Sequence, residues 1–534
     1  MRDRKPIAHL LCEDNVTQKI VVIGAGVGGL TAAALLAKRG FDVTVLEAHV
    51  EPGGCAATFF HKGYRFDVGA TLVGGFHPGG PHQIVGEQLG ITWSIRSVEP
   101  AMQIHLPDRS ITRWSDADRW REERIRTFGL QAERFWSMQE RVADVVWDFS
   151  ARVPTWPVAS IPDALQLILT VRPDLIPIAP LAFTNVRAWT KALGALGRDL
   201  MTFLDAQLLI AAQGVARDTN GLYGAAALDL YRRGVVHVAG GVGNIAETLA
   251  RVVQAQGGQV LYRHEVTSIR RGEACPRQMG RREACPYNIE TKRGSVEADV
   301  VLANLTPWAL AKLMGDDASS SLRQRVKNLK PISSAFMAYL GVDDEAILDE
   351  IEHHQVIVDP TRPLGEGNSV FVSISPEWDR NRAPHGQRAI TISTHTSAAE
   401  WYALADDEAA FEERKQIYLE RLIDAATRAL PNLKSHIKLA LPGTPLTFER
   451  FTRRVNGMVG GFPQKSLWAG WAPHASRDRT VWLVGDSIFP GQSTAGVTLG
   501  ALRVAREVTH EIERTVPVAQ RRTEVLECEL SRLQ

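Results

Sequence analysis

Cysteine is scarce in this chain, which has 5 cysteines among 534 residues. So few cysteines exclude a disulfide-stapled secreted scaffold and are typical of a reducing compartment, so we expect a cytoplasmic protein. Cys275 and Cys285 stand in a near-duplicated Glu-Ala-Cys-Pro sequence. Because a metal site needs more ligands than two thiols, we predict a surface loop there and no bound metal.

Long apolar runs and an excess of charge are also lacking. No stretch reaches the roughly 20 apolar residues that cross a bilayer, and we expect no secretory signal at the N-terminus. Lysine plus arginine number 61 and aspartate plus glutamate 60, a net charge of +1, which argues against a nucleic-acid partner. With 45% hydrophobic residues, the chain has the composition of a folded globular protein.

A glycine-rich turn stands between a predicted strand and a predicted helix near the start of the chain. Residues 20–23 form a short β-branched run that indicates a buried parallel strand. Gly24 permits a tight turn, Gly26 lets the backbone approach a pyrophosphate, and Gly29 lets helix and strand pack closely. The helix N-terminus, near Gly28, would present free N–H groups to phosphate charge.

An acidic residue completes this dinucleotide-binding pattern. Glu47 ends a second predicted strand, 42–46, and lies 21 residues after Gly26. At that distance a carboxylate, with Ala48 beside it, can accept hydrogen bonds from ribose hydroxyls, and a 2′-phosphate would meet like charge there. The pattern therefore disfavours NADP, but it does not by itself distinguish FAD from NAD.

A second glycine pair, Gly53-Gly54, follows directly, and residues 63–71 read Gly-Tyr-Arg-Phe-Asp-Val-Gly-Ala-Thr. These segments resemble the flavoprotein family that includes amine oxidases, protoporphyrinogen oxidases and carotenoid desaturases. The resemblance implies FAD as the cofactor. It places the glycine pair near the pyrophosphate and ribityl chain, where a Cβ would collide with the ligand, and it places three residues beside the flavin ring, namely Gly69, Ala70 and Thr71.

Cys55 departs from the family pattern, because relatives commonly have an arginine at this position that helps neutralise the pyrophosphate. A cysteine beside a flavin could form a covalent link or take part in redox chemistry. Alternatively, it is a small residue where the backbone passes close to the ligand.

The remaining cofactor contacts follow from the same resemblance. Val266 would lay backbone atoms against the adenine, and Asp486, after Gly485, would hold a ribityl hydroxyl. Backbone N–H groups of the next helix would face the flavin O2, where the helix N-terminus favours negative charge. Those residues are Thr494, Ala495, Gly496 and Val497.

The implied fold is α/β, with a Rossmann-like FAD-binding domain of the glutathione-reductase-2 and amine oxidase type, and a second, α+β domain that binds substrate. The FAD-binding domain would be discontinuous, assembled from 19–90, 236–310 and 475–515. The substrate-binding domain would comprise 91–235 and 311–474, with a helical subdomain.

Residues 155–190 are dense in leucine, isoleucine and aromatic side chains and have few charges. This composition indicates either an apolar lid that docks peripherally on a membrane or a buried helical core. With a net charge near zero, docking would depend mainly on apolar side chains. Residues 1–18 and 516–534 are expected to be flexible tails.

The string Gly485 to Val497, with its Ser-Thr-Ala-Gly-Val ending, resembles bacterial carotenoid desaturases and carotenoid isomerases, and within them the C-3′,4′ desaturase branch. This resemblance implies that a C40 polyene gives a hydride to flavin N5. Because only one dinucleotide fingerprint is evident, we expect a quinone or oxygen to reoxidise the flavin. No catalytic base can be named. The alternatives are a carotenoid cis–trans isomerase, a saturase or amine-oxidase-like enzyme, and a non-catalytic isoprenoid escort protein of the GDP-dissociation-inhibitor type.

Overall fold

The computed structural model describes residues 18–153, 156–158, 161–195, 197–272, 287–329, 334–468, 470–476 and 478–515. Apart from Gln18, the tails predicted to be flexible lie outside the described residues, as do Cys275 and Cys285.

A five-stranded parallel sheet (hereafter the parallel sheet) carries the glycine-rich turn. Residues 20–23 are buried, as expected for a central strand with both faces covered. Helix Val27–Lys38 packs between the long C-terminal helix Thr494–Thr515 and helix Asn244–Ala255. The strands run, in sheet order, Val481–Leu483, Val300–Ala303, Lys19–Ile23, Asp42–Leu46 and Gln259–Leu261.

A seven-stranded mixed sheet lies in the second part of the molecule. Its central strands are almost entirely buried and pack against helix Glu408–Ala426. The strands run, in sheet order, Ile437–Gly443, Ser334–Asp343, Gln387–Thr396, Ser369–Ile374, His353–Ile357, Met102–His105 and Ser110–Arg113.

Three smaller sheets complete the strand inventory of the described residues. A three-stranded antiparallel sheet contains Val266–Arg271, Tyr287–Thr291 and Gly294–Ala298. Two further pairs are Thr58–His61 with Tyr64–Asp67, and Ile95–Ser97 with Val236–Val238.

The helices fall into two groups by position in the chain. A helical region with its own hydrophobic core contains Ala117–Phe128, Glu133–Arg152, Ile161–Thr170, Val186–Ala192, Arg198–Ala212 and Gly221–Leu228. The other described α-helices, besides those already named, are Pro81–Leu89, Pro307–Met314, Ser320–Asn328, Ala398–Tyr402 and Pro445–Thr452.

The α/β class and the Rossmann-like sheet predicted from the sequence are confirmed. All five strands of the parallel sheet lie within the three segments expected for the cofactor domain, and the seven-stranded sheet lies outside them. Among the described residues, no helix is both long enough and apolar enough to pass through a bilayer.

Candidate functional site

A cavity with a volume of about 1340 Å³ (hereafter the larger cavity) lies at the carboxyl ends of the parallel strands. Ligands of open α/β sheets bind at this edge. One wall is formed by the glycine-rich turn and the ends of the parallel strands, and the opposite wall includes Met337, Tyr339 and Gln355 of the seven-stranded sheet. The site therefore lies between the two main sheets.

The glycine-rich turn is held tightly against its neighbours. Gly24 has a φ of +95° and donates its N–H to the carbonyl oxygen of Leu46 at 2.8 Å. Helix Val27–Lys38 starts at the cavity wall and has no acidic residue in its first turn. Its N-terminal N–H groups are thus available to an anionic ligand.

The carboxylate of Glu47 is fixed by two backbone donors. The Ala25 N–H donates to Oε2 and the His49 N–H donates to Oε1, each at 2.7 Å. A carboxylate has about four acceptor positions, so two remain for a ligand. Glu47 lines the cavity together with Ala48.

Five glycines converge on one side chain that the sequence did not identify as functional. Asn304 follows strand Val300–Ala303 and donates from Nδ2 to the Gly24 carbonyl at 3.3 Å. A Cβ on Gly26 would lie 2.5 Å from Nδ2 of Asn304, and a Cβ on Gly485 would lie 2.5 Å from its Oδ1. The others in contact with Asn304 at Cβ distance are Gly24, Gly28 and Gly29.

The loop after Glu47 returns across the cavity. Gly53 has a φ of +115° and donates its N–H to Ala25, which joins this loop to the glycine-rich turn. Gly54, Gly69, Ala70 and Thr71 also line the cavity. The Ala70 N–H donates to the carbonyl of Cys55, and the Thr71 hydroxyl accepts a hydrogen bond from Ser373 of the seven-stranded sheet.

The Cys55 thiol lies in the cavity wall. Burial raises its pKa, the positive charge of Arg454 opposes the rise, and Asp486 adds to it. A raised pKa keeps the thiol protonated and unreactive, since the thiolate is the nucleophile. This environment favours the reading of Cys55 as a small wall residue over the covalent one.

Asp486 is ion-paired with Arg454, an arginine that stands in no motif predicted to bind the cofactor. Arg454 lies beyond helix Pro445–Thr452, and its Nη2 is 3.0 Å from Oδ2 of Asp486. Its Nη1 donates to Oδ1 at 3.2 Å. Both residues line the cavity.

Most of the other predicted cofactor residues reach the same cavity. Gly24, Gly26, Gly28, Val266, Gly485, Thr494 and Val497 line it. Three do not: Gly29 packs against the Gly24 carbonyl, Ala495 is buried against Gly75, and Gly496 lines the smaller cavity described next.

The smaller cavity, about 390 Å³, lies beside the larger one. Its described lining contains no aspartate, glutamate, lysine, arginine or histidine, and it is bounded by aromatic and aliphatic side chains such as Trp147, Phe149, Leu222 and Phe489. The two cavities adjoin, because four residues line both: Ala211, Leu230, Gln492 and Ser493.

The larger cavity fits FAD on several structural grounds. It offers a carboxylate fixed at the end of the second strand, a helix N-terminus at the glycine-rich turn, and a partly buried arginine–aspartate pair farther along. The volume exceeds the 300 to 1,000 Å³ that is common for small-ligand sites. Bound there, FAD would be held by Glu47, Asp486 and the glycine segments.

Comparisons with known proteins support this reading of the site. Residues 177–509 match the family model "Flavin containing amine oxidoreductase", and residues 22–85 match "NAD(P)-binding Rossmann-like domain". The fold resembles that of putrescine oxidase, with a TM-score of 0.62, 15% identity and coverage of 93% of this chain and 99% of that one.

Two curated relatives cover almost the whole chain. Prolycopene isomerase 2 of an Oncidium hybrid cultivar is 28% identical over 520 residues, which are 93% of this chain and 85% of the relative. The neurosporene-forming phytoene desaturase of Rhodobacter capsulatus is 24% identical over 537 residues, which are 94% of this chain and 96% of the relative.

Proposed function

We propose that this chain, which belongs to the flavin containing amine oxidoreductase family, uses FAD to act on a long conjugated hydrocarbon of the carotenoid class. The family match covers more than half of the chain. One observation carries the substrate class: an uncharged, largely apolar cavity adjoins the FAD cavity. A polyene that enters there would reach the cofactor through the junction at Gln492 and Ser493.

The lining of this cavity argues against an amine as substrate. A protonated amine that leaves water is best compensated by a carboxylate. The described lining of the smaller cavity has no carboxylate. We therefore do not extend the ligand of putrescine oxidase to this chain.

The first candidate reaction is desaturation at the C-3′,4′ position, which the resemblance of the Gly485 to Val497 string favours. The identity values favour a second candidate, cis–trans isomerisation, since a prolycopene isomerase reaches 28% and a phytoene desaturase 24%. Both reactions act on a polyene in an apolar cavity, and they differ in whether hydrogen is removed.

The protein's part in either reaction is to bind and orient the polyene and to exclude water. FAD, when bound, supplies hydride acceptance. Aromatic side chains such as Trp147 and Phe149 give the polyene a large contact area. Burial raises the pKa of the Tyr223 hydroxyl in this lining, so that group stays neutral. The described lining offers no carboxylate or histidine as a base.

For a net oxidation, we propose a quinone or oxygen as the final electron acceptor, because the sequence shows one dinucleotide fingerprint. Stopped-flow mixing of the substrate-reduced protein with oxygen or with a soluble quinone would test this proposal. Reoxidation by NADP⁺ alone would contradict it.

Segment 155–190 supports peripheral docking on a lipid membrane. Part of it, including Leu167, Leu175 and Ile176, lines the apolar cavity. The same segment also presents large apolar side chains to solvent, namely Ile161, Leu165, Ile168, Leu169, Val171, Ile176 and Phe183. A patch of this kind is expected where an apolar substrate passes from a bilayer into a protein.

Expression in a host that accumulates defined carotenes tests the function directly. Desaturation lowers the product mass by two hydrogens per step, and isomerisation leaves it unchanged while the absorption spectrum shifts. An inactive control is Glu47→Arg, which removes the expected ribose ligand. If no carotene of any chain length or geometry changes while purified protein carries FAD, the carotenoid proposal is wrong.

A further inference from the structure

The guanidinium of Arg454 is held in one orientation by three acceptor groups. Its Nε donates to the Met458 carbonyl at 2.9 Å and its Nη2 donates to the Gly460 carbonyl at 2.6 Å. The two terminal nitrogens also contact both oxygens of Asp486. Paired contacts of this kind fix direction as well as charge.

At least one N–H of this guanidinium is left for a ligand. An arginine has five N–H donors, and the hydrogen bonds in the described part of the chain use one each on Nε, Nη2 and Nη1, while Nη2 also lies 3.0 Å from Oδ2 of Asp486 in the ion pair. The second N–H of Nη1 has no described partner, and Arg454 lines the FAD cavity. An unpaired N–H donor in that position needs a hydrogen-bond acceptor on the ligand that occupies the cavity.

Arg454 is also the most enclosed cation in the described lining. The side chain of Arg454 is 15% exposed, whereas that of its neighbour Arg453 is 50% exposed. The other basic side chains of the lining, Arg450 and Lys312, are exposed to solvent. Because screening by water weakens exposed charges, Arg454 carries the least screened positive charge of the described lining.

We propose that Arg454 is a cofactor-binding residue that stabilises bound FAD and favours its reduced form. The negative charge of Asp486 opposes this effect on the reduced form. This inference rests on the FAD site and is independent of the carotenoid substrate. It gives Asp486 a second role besides the expected contact with a ribityl hydroxyl.

The Arg454–Asp486 pair predicts the direction in which each substitution shifts the midpoint potential. A purely structural role of the two residues would predict no such direction. A buried cation favours the more negatively charged, reduced form of a bound flavin, and a buried carboxylate disfavours it. Arg454→Gln leaves Asp486 without its partner, so the midpoint potential should fall. Asp486→Asn leaves the arginine charge uncompensated, so the potential should rise.

The experiment measures FAD affinity and midpoint potential on the full chain. FAD is removed and titrated back, and the potential is measured by dye-coupled reductive titration without substrate. We expect Arg454→Gln to weaken the binding of oxidised FAD about tenfold. The binding of reduced FAD should be weakened by a further factor of about ten. That further factor corresponds to about 30 mV for a two-electron couple. Arg454→Lys keeps the charge, so its potential should stay near wild type although its affinity falls.

A matched control is Arg124→Gln. Arg124 is also a buried arginine, 5% exposed and 2.7 Å from Glu133, but it lines neither cavity. Its loss should lower stability without changing the potential. The proposal is overturned if Arg454→Gln and Asp486→Asn shift the potential in the same direction, or if neither shifts it. Should Arg454→Gln fail to fold, a wild-type potential in Asp486→Asn would overturn the proposal just as well.

Discussion

The side-chain Nδ2 of Asn304 lies 2.5 Å from the place that a Cβ on Gly26 would occupy. The glycine of the turn is therefore required by a protein side chain as well as by the expected pyrophosphate. Asn304 in turn donates to the carbonyl of Gly24, so it links the turn to the neighbouring strand. Glycine at position 26 is thus required by the Asn304 side chain and by the expected pyrophosphate, and the two requirements can be separated by mutation.

Gly26→Ala should lower both the melting temperature and FAD affinity, and in an Asn304→Ala background, which already lacks the hydrogen bond to Gly24, it should lower only the affinity. The clash of Gly26→Ala is with the end of a side chain, which the second substitution removes. The alanine Cβ still points toward the ligand, so FAD affinity should stay at least about tenfold low. Thermal melting of the apoprotein and FAD titration provide the two measurements.

Gly29→Ala is the comparison for this pair. Its Cβ would lie 2.5 Å from the backbone carbonyl of Gly24, which no side-chain substitution can relieve. The loss of stability should therefore persist in the presence of Asn304→Ala. Full rescue of Gly29→Ala by Asn304→Ala would show that the Gly24 carbonyl is not the obstacle at this position.

Glu47→Gln should weaken FAD binding by about 10- to 100-fold, since hydrogen bonds to a charged acceptor contribute about 1.5 to 3 kcal/mol. The amide retains one acceptor oxygen, but it replaces the other with a donor that faces the backbone N–H of Ala25 or His49. Equilibrium titration of the apoprotein with FAD checks the prediction. Glu51→Gln, at a carboxylate of the cavity rim, should bind FAD normally, and equal loss in both variants would contradict the role given to Glu47.

The parts of the site that the sequence predicts are those built from neighbouring residues. Gly24 to Gly29 and Glu47 lie in one strand–turn–helix–strand unit, so their spacing alone indicates their arrangement. Arg454 meets Asp486 across 32 residues, and Asn304 meets Gly24 across 280. No local pattern encodes such contacts. For Asn304 there was a usable signal, its position directly after a buried strand, whereas the sequence around Arg454 offers none.

The apolar cavity is a second feature that the sequence predicts only in part. The density of leucine and aromatic residues in 155–190 indicated either a lid or a core, and the structure shows that side chains such as Leu167 line a cavity while Leu169 is 87% exposed. Which side chains face the cavity depends on contacts with distant residues such as Phe489 and Leu467. Composition alone could not separate these two environments.

Ile168→Glu combined with Leu169→Glu should reduce binding to phosphatidylcholine vesicles at least tenfold. Each of these side chains is more than half exposed, and withdrawing such a side chain from a bilayer forfeits about 1.5 to 3 kcal/mol. Vesicle flotation measures the bound fraction, and FAD content shows that the fold is intact. Leu348→Glu is the control, because Leu348 is 66% exposed and lies outside this segment. Unchanged flotation of the double variant would rule out docking through 155–190.

A buried histidine, His237, joins the two main parts of the molecule and should make its stability depend on pH. His237 lies 2.8 Å from Glu352 through Nδ1 and 2.9 Å from Asp379 through Nε2. Burial alone would lower the pKa of His237 and Arg382 adds to that effect. The two carboxylates outweigh both, so its pKa is raised above the usual 6.5.

A raised pKa in the folded state means that folding favours the protonated form. The resulting stability is present in full below pH 6.5 and is lost as the pH rises through the higher folded-state pKa. Wild-type protein should therefore lose stability as the pH rises above about 6.5, and His237→Gln should be less stable at pH 6 but show a flatter profile as the pH rises. Urea unfolding at half-unit pH steps measures both curves. A steeper slope for His237→Gln than for wild type would show that this histidine does not carry the charge that binds Glu352 to Asp379.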